Sequence, residues 1–519
     1  MKVFFLRSQD FPVAAAALLL MAALAGASII LCNGSLVYSL DDAYIHLSIS
    51  EQIARGGYGI NPGELSAPSS SVIWDFLLAP FAGTPFHIVL PLLINIAALL
   101  WSVLILSRLV TGVFSGIDPF VTGFIAVCFA LAANLFGLVM TGMEHSLQVA
   151  LSLSVLEGVT VTASGGPMTR RMAVSMILGP MVRYEMLAVT FAAALVLFLR
   201  GRRGKAFLLP AVSIIPLAVF SFFLLSRGLP PLPGSVLSKL AEGGLTGGLA
   251  GSVANRLRMY ATDMDAMRFA ALLLMFPVVW FVRRTEGDRL VTLFGFAVGL
   301  GHLILGRFGW FGRYHVYSMV ILIIASAWSF RDLLKRFLLS GKPFGRACLL
   351  LLPLALFMLP EIGTTLKTPL ASRVIFLQHG VMRRIVLQYG DRVAVNDIGW
   401  VSYGNPNHVL DLWGLANEES RKHQLERGTG WMQRMVESDG AGLVMIYGSI
   451  FREEIPDSWN RLAVLGMTGP VVVGFPDVDI FVTPAGDLAR DRCGAYQRKH
   501  HCDRPSYREP RDQQRQHLN

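Results

Sequence analysis

The sequence predicts a polytopic α-helical membrane protein followed by a small extracytoplasmic α/β domain. Of 519 residues, 53% are hydrophobic and only 15% are charged, more apolar matter than a water-soluble chain of this length needs. The apolar residues gather into runs of spanning length as far as about residue 360. Beyond that the composition turns mixed, with short β-prone runs between charged, helix-compatible stretches.

The elements follow in order. Lys2 and Arg7 precede an apolar run from Phe11 to Leu31. At ~1.5 Å per residue this run of about 21 residues crosses a bilayer. More spans follow, so it reads as an uncleaved first transmembrane helix and not as a secretory leader. Further spans fall roughly at 87–107, 118–139, 145–163, 172–183, 186–199, 206–226, 267–282, 289–305, 315–330 and 346–360, about eleven crossings in all. The pair at 172–183 and 186–199 is short and suits a kinked or half-buried arrangement.

Basic residues set the orientation. With the N-terminus in the cytoplasm, the inner loops hold Arg108, then Arg170 and Arg171, then Arg200, Arg202, Arg203 and Lys205. Arg283, Arg284 and Arg289 follow, and then Arg331, Lys335, Arg336, Lys342 and Arg346. Every cluster lies on one side, as the positive-inside rule requires. The net charge of +10 therefore belongs to inner loops and lipid headgroups, and no nucleic acid is expected. An odd number of crossings places the C-terminal part outside.

The first 360 residues form the expected transmembrane domain, with a first outer loop at about 32–86. From 361 to 489 an α/β domain is expected, with strands near Arg392–Val395, Leu443–Tyr447, Val471–Phe475 and Asp479–Val482 and helices near Glu418–Glu426 and Trp431–Glu437. Residues 490–519 are rich in Arg, Gln, His and Asp and read as a disordered basic tail. Cys493 and Cys502 can form a disulfide if that end is extracytoplasmic; two unpaired thiols are the alternative.

All the unusual polar residues gather on the outward face. Asp41 and Asp42 follow the first span and open a short amphipathic segment in which Ile45, Ile49 and Ile53 form the apolar stripe, with His46, Ser50 and Glu51 off it. Either aspartate can cap that helix, and Gly56–Gly57 can end it. Asn61-Pro62-Gly63-Glu64 and the stretch Ser66-Ala67-Pro68-Ser69-Ser70-Ser71-Val72-Ile73-Trp74 come next. Thr141-Gly142-Met143-Glu144-His145 lies at an outer helix end, where a solvated turn is the plain alternative. Arg183-Tyr184-Glu185 separates two short apolar segments, as a structural ion pair or as part of a wet cavity. Gly228 to Ser235, rich in proline, leads to Lys239, which suits a phosphate of substrate or of bulk lipid. Arg313, Tyr314 and His315 close an aromatic run at the outer interface, where an arginine fork suits phosphate oxygens. Further on stand Asn396-Asp397-Ile398-Gly399-Trp400 and Val409-Leu410-Asp411-Leu412-Trp413-Gly414-Leu415, which a strand–turn–strand core with a capping aspartate explains; acceptor binding is the alternative.

These motifs resemble the GT-C superfamily of glycosyltransferases that use polyprenyl-phosphate sugars. They look most like the branch with the mycobacterial terminal arabinofuranosyltransferases. The resemblance covers about 39 to 420 and is strongest in the first outer loop. It implies a GT-C-like fold and an inverting transfer to a cell-envelope glycan or glycolipid acceptor, on the outer face of a bacterial inner membrane. Arabinofuranose or another pentose or hexose would be the sugar. It also implies Asp41 as the base, Asp42 and Glu144 as further catalytic acids or ligands of a divalent metal ion, and His145, Arg183, Glu185, Lys239, Arg313, Tyr314 and His315 as substrate or phosphate contacts. The chain departs from the branch's pattern at His145, at Tyr184 where proline is usual, and at Gly234 where asparagine is commoner.

A transporter or lipid flippase is the alternative; it requires polar residues along a path from both faces and often an internal repeat. A non-catalytic scaffold leaves Asp41, Asp42 and Glu144 without a purpose. No phosphate-binding loop, His-Glu-x-x-His pair or nucleophile elbow occurs in the sequence.

Overall fold

A computed structural model describes residues 10–242, 258, 260–282, 285–426, 429–467 and 472–486. The expected tail and its two cysteines lie outside the described residues. Each of the eleven predicted apolar segments is helical. Six helices are long and apolar enough to cross a membrane: Asp10–Leu31, Leu90–Val113, His145–Ala163, Arg203–Ser226, Met264–Phe281 and Glu286–Leu305. Counting each of two bent pairs as one span gives up to eight among the described residues: Val316–Ser329 with Arg331–Leu339, at 71°, and Pro343–Phe357 with Leu359–Tyr389, at 81°.

The other three expected spans are too short for a straight crossing. Pro119–Ala132, Arg170–Val182 and Met186–Leu199 have 13 or 14 residues, about 20 Å against a ~30 Å hydrocarbon core. The apolar stretch at 118–139 is broken by Asn134, whose φ of 59° ends one helix before Leu135–Met140 begins. His145–Ala163 packs on Leu90–Val113 and Arg170–Val182 around a core that includes Leu106, Phe136, Leu153 and Phe294. Ile30, Phe207, Phe222, Leu274 and Phe281 point outward, each at least 68% exposed. Side chains of that size rest outward along apolar helices where lipid replaces water, and the chain is a multi-pass membrane protein.

The segment after the first span forms the helix Asp42–Ala54. It is covered on both sides, so His46 and Ser50 are buried together with the predicted isoleucine stripe. Gly56, at φ +83°, ends it as expected, and the Gly57 N–H closes on the Gln52 carbonyl at 2.8 Å. The Asp41 side chain does not cap the helix.

Five strands form one sheet: β1 Val393–Val395, β2 Val409–Asp411, β3 Leu443–Ile446, β4 Asn460–Leu465 and β5 Val478–Val482, in the order β2-β1-β3-β5-β4. β1 is parallel to β2 and β3, whereas β5 runs antiparallel to β3 and β4. Alternation sends Val393 and Val395 to one face and Ala394 to the other. The first face packs on Ile45, Ile49, Leu217, Phe220 and Met382, and the second on Trp431, Met432 and Val436. The expected strand at Val471–Phe475 is not formed in its described part, residues 472–475. Val472 and Val473 instead pack near Tyr44, Trp74 and Trp400. β2 coincides with the strand–turn–strand reading of Val409 to Asp411, whereas the exposed edge strand β4 was not expected. Residue 361 lies in the first turn of the helix Leu359–Leu377, and the sheet begins at 393.

The segment after the first helix and the sheet are fastened together. The Asn61 amide accepts the Val409 N–H at 2.9 Å and donates to the Val409 carbonyl at 3.0 Å. His408 bridges Glu64 at 3.0 Å and Asp439 at 3.1 Å. Asn61-Pro62-Gly63-Glu64 thus carries the docking contacts.

Candidate active site

A cavity of about 430 Å³ opens between the helix ends that carry Asp41, Arg183 and Arg313 and the sheet. Asp41, Asp42, Arg183, Arg313, Tyr314, His379, Asp397, Trp413 and Tyr447 are all in its lining. β1, β2 and β3 are parallel, and their C-terminal ends supply Asp397, Trp413 and Tyr447 to it. The carboxyl ends of parallel strands are where α/β sheets place ligands.

Asp41 is fixed by the far end of the chain. Its Oδ2 accepts the Gly399 N–H and its Oδ1 the Trp400 N–H, both at 2.8 Å. The helix Gly399–Ser402 is seated there by Trp400 stacked on Tyr44, with ring centroids 4.6 Å apart and planes 7° apart. A Cβ at position 399 would collide with the Asp41 carbonyl and carboxylate, so glycine is required. Burial, assisted by the charges of Asp397 and Asp42, pushes the Asp41 carboxyl up from 3.8 to about 6, against the pull of His379 and the Trp400 N–H.

Behind it runs a buried chain of charges. Asp75 holds His46 Nδ1 at 2.6 Å, and His46 Nε2 lies 3.4 Å from Glu144. Glu144 accepts from Arg183 at 2.9 Å, and Arg183 makes a two-pronged bond to Glu185 at 2.7 and 3.1 Å. Ser70 accepts from Arg183 at 2.6 Å. Burial disfavours the charged form of Glu144, but His46 and Arg183 outweigh it and lower the pKa. Burial likewise opposes charge on His46, yet Asp75 and Glu144 raise its pKa. Arg183 and Arg313 lie 5.9 and 4.8 Å from the centre of the Tyr314 ring. Arg313 binds Asp42 and donates to the Tyr314 hydroxyl at 2.8 Å.

The remaining predicted residues spread out. His145 is buried in edge contact with Tyr314, 6.0 Å between centroids. His315 is turned away to Glu361, at 3.3 Å, in a cluster with Asp265 and Arg268. Lys239 lies in the helix Gly234–Glu242, and its side chain lies outside the described part. Gly234, where asparagine is commoner in the resembled family, abuts the Leu415 carbonyl, and a Cβ there would collide with it.

Asp42 and Glu144 do not form a fitting pair of metal ligands, because each already holds an arginine. Asp265, His315 and Glu361 bring ligand atoms within 4.8 Å of one another, but the Arg268 guanidinium binds both carboxylates.

Sequence reasoning missed His46, Asp75 and Ser70 as partners of Glu144 and Arg183, and missed Arg307, His379 and Tyr447 in the cavity wall, where Asp397, expected either in a structural turn or in acceptor binding, also lies. The available signals were the imidazole four residues after Asp42, the serine-rich stretch and Asp397 two residues before Gly399.

Residues 374–482 match a family described as a domain of unknown function (DUF8728). No curated protein matches the chain. Among solved structures it is similar to the archaeal oligosaccharyltransferase AglB from Archaeoglobus fulgidus in complex with an inhibitory peptide and a dolichol-phosphate, at 10% identity and TM-score 0.47, covering 86% of this chain and 70% of that one. The apo form of the Archaeoglobus fulgidus oligosaccharyltransferase gives 12% identity and TM-score 0.48, covering 85% and 70%. ArnT from Cupriavidus metallidurans bound to undecaprenyl phosphate gives 11% identity and TM-score 0.45, covering 91% and 97%.

Proposed function

We propose that the chain is a membrane glycosyltransferase that moves a sugar from a polyprenyl-phosphate donor to a glycan or glycolipid acceptor, with inversion at the anomeric carbon. The observation that carries this reading is the meeting of Asp41 and Asp42 with Arg183 and Arg313 in one cavity. Asp41 takes the proton of the acceptor hydroxyl while its oxygen forms the bond to the anomeric carbon. The bond from that carbon to the phosphate oxygen breaks, and the lipid phosphate leaves as an anion. Each Asp41 oxygen keeps a second lone pair beyond its backbone N–H bond, and its raised pKa suits a base that is ionised at neutral pH.

Arg313 meets the leaving phosphate: its Nε–H is buried without a hydrogen-bond partner among the described residues. Arg307, in the same wall, adds charge. Arg183 acts at one remove, since its fork is already engaged by Glu144, Glu185 and Ser70. Asp42, held by Arg313, orients the acceptor. The basic loops support a cytoplasmic N-terminus in a bacterial inner membrane, with the cavity and the region after about 360 on the outer side.

The test is the purified protein in detergent, given a panel of polyprenyl-phosphate sugars with membrane glycans as acceptors. Consumption of one donor with release of polyprenyl phosphate supports the reading. Failure to consume any donor, together with movement of an intact lipid in vesicles, contradicts it and favours the transporter.

A further inference from the structure

We propose that Asp397, held by His379 and Tyr447, is the second carboxylate of the acceptor subsite, orienting the hydroxyl group that Asp41 deprotonates. The inference rests on the glycosyltransferase reading and assigns the sheet region a part in it. Asp397 follows β1, and Tyr447 follows the neighbouring parallel strand β3. Asn396, between β1 and Asp397, accepts the Tyr447 N–H at 2.9 Å and locks the two strand ends in register.

The bonding of Asp397 is one-sided. Oδ2 accepts from His379 Nε2 at 3.1 Å and from the Tyr447 hydroxyl. Oδ1 has no hydrogen-bond partner among the described residues, and Asp397 is 31% exposed on the cavity wall. A carboxylate tied at one oxygen presents the other as a pre-oriented acceptor, the arrangement a sugar hydroxyl requires. His379 is buried, and its Nδ1 lacks a partner in the same wall.

Charge in the cavity divides accordingly. Arg313, whose Nε–H has no partner among the described residues, and Arg307 form the side that receives a phosphate, with Arg183 behind them. Asp41 and Asp397 form the side that repels one and accepts hydroxyl protons. The groups that act on Asp41 are Asp42 beside it, Tyr44 on its own helix, His379, Asp397 and Tyr447. Asp397 therefore both orients the acceptor and makes Asp41 more basic. It is a positioning residue, since two donors already hold its own charge.

The experiment is steady-state transfer from the polyprenyl-phosphate sugar that the wild type consumes, with Asp397→Asn, Asp397→Glu and Tyr447→Phe. Asp397→Asn is expected to raise the acceptor KM about tenfold, leave donor KM unchanged, and shift the acidic limb of the pH profile to lower pH. Asp397→Glu recovers part of the acceptor KM. If Asp397→Asn does not fold, Tyr447→Phe is read instead and shows a smaller rise in acceptor KM. Unchanged acceptor KM and acidic limb in an active variant overturn this proposal alone. A wild type that transfers no sugar overturns it together with the parent reading.

Discussion

Asp41 and Gly399, 358 positions apart, are joined by a carboxylate–amide hydrogen bond of 2.8 Å. The bond ties the segment after the first helix to the first turn after β1. It makes the geometry of one side of the cavity depend on the folding of the other.

Gly399→Ala therefore acts on Asp41 without changing it. The added methyl meets the Asp41 carbonyl and carboxylate, so the helix Gly399–Ser402 has to move. We expect a loss of transfer of at least tenfold with the protein still folded. Circular dichroism and donor binding, measured beside the rate, check it.

The pH profile follows from the raised pKa of Asp41, about 6. A base works ionised, so kcat/KM falls about tenfold per pH unit below ~6 and is flat just above it. The stability contribution has the opposite sign. A carboxyl raised in the folded state contributes stability below its ordinary pKa of 3.8, and that contribution is lost as pH rises through about 6. Rate and thermal midpoint measured over pH 4–8 separate the two.

Arg183→Met should destabilise more than Arg183→Lys. Removing the guanidinium leaves the buried Glu144 with His46 beside it but without its arginine, and takes the two-pronged partner from Glu185. Breaking a buried pair in this way costs about 3–5 kcal/mol. Lysine keeps the charge and loses the fork. Thermal unfolding in detergent distinguishes them, with Glu144→Gln in a double-mutant cycle.

The His408 latch should open in alkali. Its hydrogen bonds to Asp439 and Glu64 raise the His408 pKa from 6.5 to about 9. The contribution of the protonated imidazole is complete below pH 6.5 and is lost as pH rises through about 9. The protection of the Val409 amide, taken relative to its intrinsic hydroxide-catalysed exchange rate, should fall over that range, and His408→Gln should abolish that fall.

Hydropathy made the apolar helices before about 360 legible, because burial in lipid needs only composition and length, but not Leu359–Leu377, which was expected in the α/β domain. The number of crossings was not legible. Asn134 breaks one apolar run, and the segments at 170–182 and 186–199 are shorter than a bilayer. β-Propensity alone misled at Val472 and Val473, whose apolar side chains pack near Tyr44 and Trp400. It also passed over β4, whose residues are exposed at a sheet edge.

In the candidate site, Asp41, Asp42, Arg183 and Arg313 were each legible from the short motif around them. Their partners were not. His46 meets Glu144 across 98 positions, and Asp41 meets Gly399 across a whole domain. A capping role for Asp41 or Asp42 was the local expectation, and the Asp41 carboxylate makes no cap bond. The long-range bond replaces it because the Gly399 and Trp400 N–H groups start a short helix against the carboxylate.

The most direct measurement is a single turnover of the preferred polyprenyl-phosphate sugar by wild type and by Asp41→Asn, with donor binding followed in parallel. The account predicts that Asp41→Asn binds the donor like wild type and releases polyprenyl phosphate on the order of 10²–10⁴ more slowly. An equal rate in a folded Asp41→Asn protein would contradict it.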